Sequence, residues 1–141
     1  MHISIINGPN LNLVGTREPT IYGTQTMETF IHSLKEKYPA IQIDYFQSNI
    51  EGEIINEIQL KGGNVDGVIL NAGGYSHTSV AIADAIVAVK ANVVEVHISN
   101  IYAREEFRHH SLIASVCKGS IAGLGLHVYE LGLLSFLLEK K

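Results

Sequence analysis

The chain lacks the features that would place it in several broad classes. It has one cysteine, Cys117, in 141 residues. A lone thiol rules out an internal disulfide framework and fits a reducing compartment. It lies in an apolar stretch and reads as an inert core group. No apolar run reaches the roughly 20 residues that cross a bilayer, so no membrane span is expected. The N-terminus lacks a basic region followed by an apolar stretch, so no secretory signal is expected and a cytoplasmic setting follows. There is no basic run, and the net charge is −4. That balance argues against a nucleic-acid partner, although a local cationic pocket can sit inside an acidic total. No Cys/His spacing of a zinc site occurs, and His109-His110 diverge on a helix, so no metal is expected. Neither a nucleophile elbow nor a P-loop is present. Gly123-Leu124-Gly125 has the start of a dinucleotide turn, but Val128 replaces its third glycine and too little chain follows for a βαβ unit.

What remains is an apolar chain of the size of one domain, 1–141. About two-thirds of its unfolded surface can be buried at this length. Hydrophobic residues make up 46%, enough to imply that some apolar surface is covered by other subunits. Apolar spacing then divides the chain. Ile3, Ile5 and Ile6 read as a strand. Met27, Phe30, Ile31, Leu34 and Tyr38 recur at helical spacing, with Thr26 as cap, Glu28 in the first turn and Pro39 as stop. Residues 40–47 alternate as an edge strand. Ser48-Asn49-Ile50-Glu51 has the capping-box pattern and opens a helix with Ile50, Ile54, Ile55 and Ile58 on its apolar face, ended by Gly62-Gly63. Residues 65–70 read as a buried strand. Thr78 or Ser79 opens a third helix through Ala91. Residues 93–99 read as a central strand, 120–124 as a short strand and 126–140 as the last helix. Strands alternating with helices mean a parallel sheet covered on both faces. Five strands in this length predict a flavodoxin-like, doubly wound α/β fold.

Chemistry collects at the strand ends, where open α/β sheets bind ligands. Residues 7–23 form a long connection between the first strand and first helix, where about 2–6 residues suffice. It carries Asn7, Asn10, Arg17 and Tyr22 and reads as an active-site lid, against the alternative of a surface loop. A phenol has a pKa near 10, and a cation within about 4–6 Å can lower it by about 1–3 units. Arg17 could act on Tyr22 in this way. Arg17, Arg104 and Arg108 could also clamp a carboxylate, which implies a small anionic substrate. The third strand ends in Asn71, followed by Gly73-Gly74 and His77. The fourth ends in His97-Ile98-Ser99-Asn100. Glu95 and His97 lie two apart and share a strand face. A buried Glu is costly unless paired, so the two read as a carboxylate orienting an imidazole in an acid–base site. The alternative, a solvated pair on an edge strand, fits the apolar flanks less well. His2 and His127 read as structural.

These segments carry a resemblance. Asn7-Gly8-Pro9-Asn10-Leu11-Asn12, Gly15-Thr16-Arg17-Glu18-Pro19 and Ile21-Tyr22-Gly23 resemble the signature of type II 3-dehydroquinate dehydratases. Leu70-Asn71-Ala72-Gly73-Gly74 with Ser76-His77-Thr78-Ser79 resembles their second motif. Residues 95–100, followed by Ala103-Arg104-Glu105-Glu106-Phe107-Arg108 and His110-Ser111, resemble the third. The resemblance implies loss of water from 3-dehydroquinate to give 3-dehydroshikimate, in the shikimate pathway, without metal or cofactor. It implies Tyr22 as base, favoured by Arg17, a water held by Asn10 at the enolate, and His97 as acid, oriented by Glu95. It assigns Asn71, His77, Ile98, Ser99 and Arg108 to the substrate, Arg104 to the lid region and Asp84 to a neighbouring subunit's pocket. The implied assembly is a dodecamer built from trimers. The unrelated type I enzyme uses an imine-forming Lys on a (β/α)₈ barrel, for which this chain is too short. Two rival classes are weighed. The first is a non-catalytic flavodoxin-like module: a signalling receiver needs acidic residues after the first strand, where Asn7 and Asn10 stand, and a flavin carrier would purify with bound yellow cofactor. The second is a structural or interaction protein whose polar rim is incidental, which would leave Arg17, Tyr22 and His97 freely replaceable.

Overall fold

A computed structural model of the chain describes residues 1–16, 20 and 24–139. Among the described residues there are five strands: β1 (His2–Asn7), β2 (Gln42–Gln47), β3 (Gly67–Asn71), β4 (Val93–His97) and β5 (Gly119–Ala122). All pair in parallel, in the order β2-β1-β3-β4-β5. Among the described residues, the α-helices α1 (Met27–Lys37), α2 (Glu51–Lys61), α3 (Val80–Ala88) and α4 (His127–Glu139) lie between or after them. This is the flavodoxin-like, doubly wound sheet that the alternation predicts.

The strand period of two sorts the core into two layers. Ile3, Ile5, Ile69, Val94 and Val96 face α1 and α4, packing with Phe30, Leu34, Tyr129, Leu133 and Phe136. Ile6, Val68, Leu70 and Val93 face α2 and α3, packing with Ile54, Ile58, Ile82 and Ile86. Ile3, Ile5, Ile6, Ile69 and Leu70 have no exposed surface, and each such side chain contributes about 1.5–3 kcal/mol relative to exposure.

Local signals set most helix ends. Thr26 Oγ1 accepts from the Thr29 N–H at 3.2 Å, and Glu28 sits in the first turn of α1. Ser79 Oγ accepts from the Ile82 N–H at 2.9 Å and starts α3. That helix ends at Ala88, earlier than the expected Ala91, because Lys90 takes φ 51 and turns the chain. The short strand ends at Ala122 and not Leu124, since Gly123 leaves the extended region at φ 91. The expected capping box is displaced. The N-cap of α2 is Ile50, with no side-chain bond. Ser48 Oγ accepts from the Ile50 N–H at 2.9 Å and bonds the Glu53 carboxylate. Ile50 therefore precedes the first turn and is exposed, off the face that buries Ile54 and Ile58.

Polar ties fix helices to one another and to the sheet. Tyr38, capping α1, donates to Glu130 of α4 at 2.5 Å. Asp44 of β2 lies 2.6 Å from Lys61 Nζ, at the end of α2, and 2.7 Å from His2 Nε2. Among the described residues, no helix is long and apolar enough to cross a membrane.

The Lys61 ammonium and the His2 imidazole hold the Asp44 carboxyl at about 2, against an ordinary 3.8. Its stabilising effect is fully present above pH ~4 and is lost as pH falls through about 2. Asp44→Asn should lower unfolding free energy at pH 7 by about 1 kcal/mol, given partial exposure of the pair. It should also flatten the loss of stability between pH 4 and pH 2. Urea unfolding across that range measures both effects.

Candidate active site

The order β2-β1-β3 means that the chain leaves β1 in one direction for β2 and returns to the other side for β3. This reversal opens a crevice at the carboxyl ends of β1 and β3, the place where such sheets bind ligands. Gly8 crosses the crevice floor. Its N–H donates to the Asn71 carbonyl at 2.7 Å, and a Cβ there would collide with the Ala72 carbonyl.

One cleft gathers most of the residues singled out in the sequence. Asn10, Asn71, His77, His97, Ile98, Ser99, Arg104 and Arg108 all line it, with Leu11, Leu13 and Val14 adding an apolar side. Glu95 lies beneath His97 and not on the cleft surface. Asp84 is exposed on α3 and does not line the cleft of its own subunit. Arg17 and Tyr22, with residues 18, 19, 21 and 23 of the expected lid, lie outside the described residues.

The floor is a buried amide–phenol chain. The Tyr129 hydroxyl donates to Asn7 Oδ1 at 2.8 Å and accepts from Asn71 Nδ2 at 2.9 Å. Asn71 Oδ1 accepts from the Gly73 N–H at 3.2 Å, at the start of the Gly73–His77 3₁₀ turn. An amide has two N–H groups and two acceptor lone pairs. Asn71 thus keeps one of each beyond these two bonds.

That turn carries His77. Its Nδ1 lies 2.8 Å from the His110 carbonyl. A carbonyl only accepts, so Nδ1 holds the proton and a neutral His77 presents Nε2 as an acceptor. The His77 and His97 rings stack at 5.9 Å between centroids.

Glu95 is fully buried, and its carboxylate is surrounded. Oε1 accepts from Ser111 Oγ at 2.5 Å and Oε2 from Ser120 Oγ at 2.9 Å. His97 Nε2 stands 3.1 Å from Oε1, without the geometry of a hydrogen bond. Burial alone would push the carboxyl up. The His97 imidazole outweighs it, together with the two hydroxyls, and Glu95 is held below its usual range. The neighbouring Cys117 thiol is pushed up to about 12 by burial and by Glu95, which makes it inert as expected.

The cationic wall comes from the loop after β4. Arg108 Nε donates to Glu105 at 2.9 Å while its guanidinium packs on Phe107. Arg104 Nη1 reaches Ser99 Oγ at 3.4 Å. Among the described residues, no three His, Cys, Asp or Glu are placed to hold a metal ion.

Spacing alone missed Tyr129, Ser111, Ser120 and Asn49. Tyr129 reads as one more apolar residue of an amphipathic helix, and the serines lie 16 and 25 residues from Glu95.

An open parallel sheet whose cleft is lined by His97, over a buried Glu95, and by two guanidinium groups defines an α/β protein with cationic and titratable groups gathered in one small-molecule-sized cleft. Known proteins narrow this class. Residues 1–137 match the family model described as dehydroquinase class II. A 3-dehydroquinate dehydratase of Campylobacter jejuni is 52% identical over 139 residues, covering 97% of this chain and 87% of that protein. One from Prochlorococcus marinus is 48% identical, covering 97% and 98%. The crystal structure of a type II dehydroquinase from Butyrivibrio crossotus superposes with a TM-score of 0.93 at 43% identity, covering 97% of each chain. The chain belongs to the class II dehydroquinase family, and is an enzyme of the dehydratase, or hydro-lyase, class.

Tyr129→Phe should lower stability by about 1–3 kcal/mol, because a buried donor to Asn7 and acceptor from Asn71 vanish together. Urea unfolding of this variant beside Tyr38→Phe, whose hydroxyl is at the surface end of α1, measures the difference.

Proposed function

We propose that this chain converts 3-dehydroquinate to 3-dehydroshikimate through an enolate, with Tyr22 as base and His97 as acid. The observation that carries the chemistry is the His97 imidazole at the cleft wall, 3.1 Å from a fully buried Glu95 carboxylate. Family membership supports the choice of substrate.

Tyr22, as a phenolate favoured by the Arg17 cation, takes the proton beside the ketone. The electron pair moves onto the carbonyl oxygen as an enolate. A water held by Asn10 stabilises that charge where it develops. The enolate then reforms the ketone and expels the hydroxyl on the next carbon. His97 protonates it as it departs as water. Glu95 orients the imidazole through Nε2, leaving Nδ1 as the donor side of the ring. Atoms balance as one water lost and one conjugated enone formed. A proton then passes from Tyr22 back to His97 through solvent.

The remaining residues hold the ring. His77 presents an acceptor at Nε2, suited to a substrate hydroxyl. Asn71, the Ile98-Ser99 backbone and the Ser99 hydroxyl offer further polar contacts, and Arg108 matches the carboxylate. Arg104 closes the lid side. Asp84, exposed on α3 between the exposed Val80 and Val87, acts in a neighbouring subunit's pocket within a dodecamer of trimers. The setting is the cytoplasm and the shikimate pathway.

The test of the whole reading is ultraviolet absorbance of the enone formed from 3-dehydroquinate without added metal or cofactor. Absence of that product would end it. Tyr22→Phe and His97→Ala should each reduce kcat by about 10²-fold or more, while ligand still binds by calorimetry. Near-normal kcat in either variant removes that residue from its role. Sedimentation of the active enzyme should give a twelve-subunit species, and a fully active monomer would exclude the role given to Asp84.

A further inference from the structure

Asn10 stands at the cleft in a left-handed conformation, φ 68, with no side-chain bond of its own to hold the turn. Asparagine tolerates this region, but only as a local device that its surroundings must fix. The fixing bond comes from outside the cleft. The Asn10 N–H donates to Asn49 Oδ1 at 3.0 Å. Gln47 Nε2 donates to the same oxygen at 3.1 Å and to the Gly8 carbonyl at 3.2 Å. The Asn49 carbonyl accepts from the Tyr75 hydroxyl at 3.1 Å. Tyr75 belongs to the turn that carries His77. Asn49 thus bonds both turns that wall the cleft, while touching neither the cleft nor any reacting group.

We propose that Asn49 is a positioning residue for the dehydration, setting Asn10 at the distance needed to hold the water on the enolate. This rests on the role given to Asn10 above. Enolate stabilisation depends on donors fixed before the charge develops, so a small drift of Asn10 lowers the rate of the chemical step more than it weakens binding. The acceptor is one oxygen serving two N–H donors. A carboxylate of the same length supplies that oxygen equally well, and a methyl group does not.

Steady-state kinetics with 3-dehydroquinate on Asn10→Ala, Asn49→Ala, Asn49→Asp and the Asn10→Ala/Asn49→Ala double variant test this. Asn49 is exposed, so these variants should fold, and thermal unfolding confirms it. Asn49→Ala should lower kcat about tenfold with KM within about twofold. Asn49→Asp should restore kcat to within about threefold of the parent enzyme. The double variant should be no slower than Asn10→Ala alone. A slow Asn10→Ala with a normal Asn49→Ala would overturn the role of Asn49 and leave that of Asn10 intact. Independent, multiplying losses in the double variant, or failure of Asn49→Asp to restore the rate, would do the same. Normal turnover by Asn10→Ala would overturn the Asn10 reading, and the Asn49 proposal with it.

Discussion

A carboxylate inside a parallel sheet is the constraint on which the site depends. Glu95 has no exposed surface, and an isolated charge there would be driven to protonate. It stays ionised because three chain segments meet on it: His97 from the same strand, Ser120 from β5 and Ser111 from the loop after Arg108. Compensation is shared between an imidazole and two hydroxyls, so neither oxygen is left bare. The arrangement also locates the imidazole. With Nε2 facing the carboxylate, rotation of the His97 ring would separate it from the only charge beneath it in the described site.

The same segment serves the second histidine. The His110 carbonyl accepts from the His77 Nδ1–H, Ser111 donates to Glu95, and the Leu112 N–H donates to the Ser76 carbonyl at 2.8 Å. Three successive residues thereby lock both rings and the turn between them. Beneath them the Asn7–Tyr129–Asn71 chain joins β1, α4 and β3 at the switch point. Backbone irregularity at the strand ends is thus satisfied by side chains, as buried polar groups require.

Much of the fold was legible because its signals are local or periodic. Thr26 caps the helix expected of it, Ser79 is the one of the pair Thr78 and Ser79 that caps the next but one, and the β-branched runs form central strands. The pairing of Glu95 with His97 was also legible, since residues two apart on a strand share a face whatever the topology. Ser111 and Ser120 were not. They reach Glu95 only because β5 pairs with β4 and the intervening loop folds back, and nothing in a serine's neighbours along the chain encodes that. Tyr129 was hidden differently: its ring satisfies the helical period, while its hydroxyl answers to two amides more than fifty residues away. The proposals for Asp84 and for an assembly rest on the family motifs alone, because one chain carries no periodic trace from which a contact between subunits could be read.

The displaced capping box shows why a correct local rule failed here. Ser48, Asn49 and Glu51 have the right residue types and spacing to cap α2, yet the helix starts from an uncapped Ile50. A box would turn the Ser48 hydroxyl onto the N–H three residues on, and would set the backbone of Asn49 as the first helical turn. In the structure Asn49 stays outside the helix, where its side chain reaches Asn10 and its carbonyl reaches Tyr75. Losing a cap costs about 1 kcal/mol, a cost partly offset by the Ser48–Glu53 and Ile50–Ser48 bonds. Sequence rules tend to break where a site needs the same atoms for another purpose. Here the break falls on the residue that joins the two walls of the cleft.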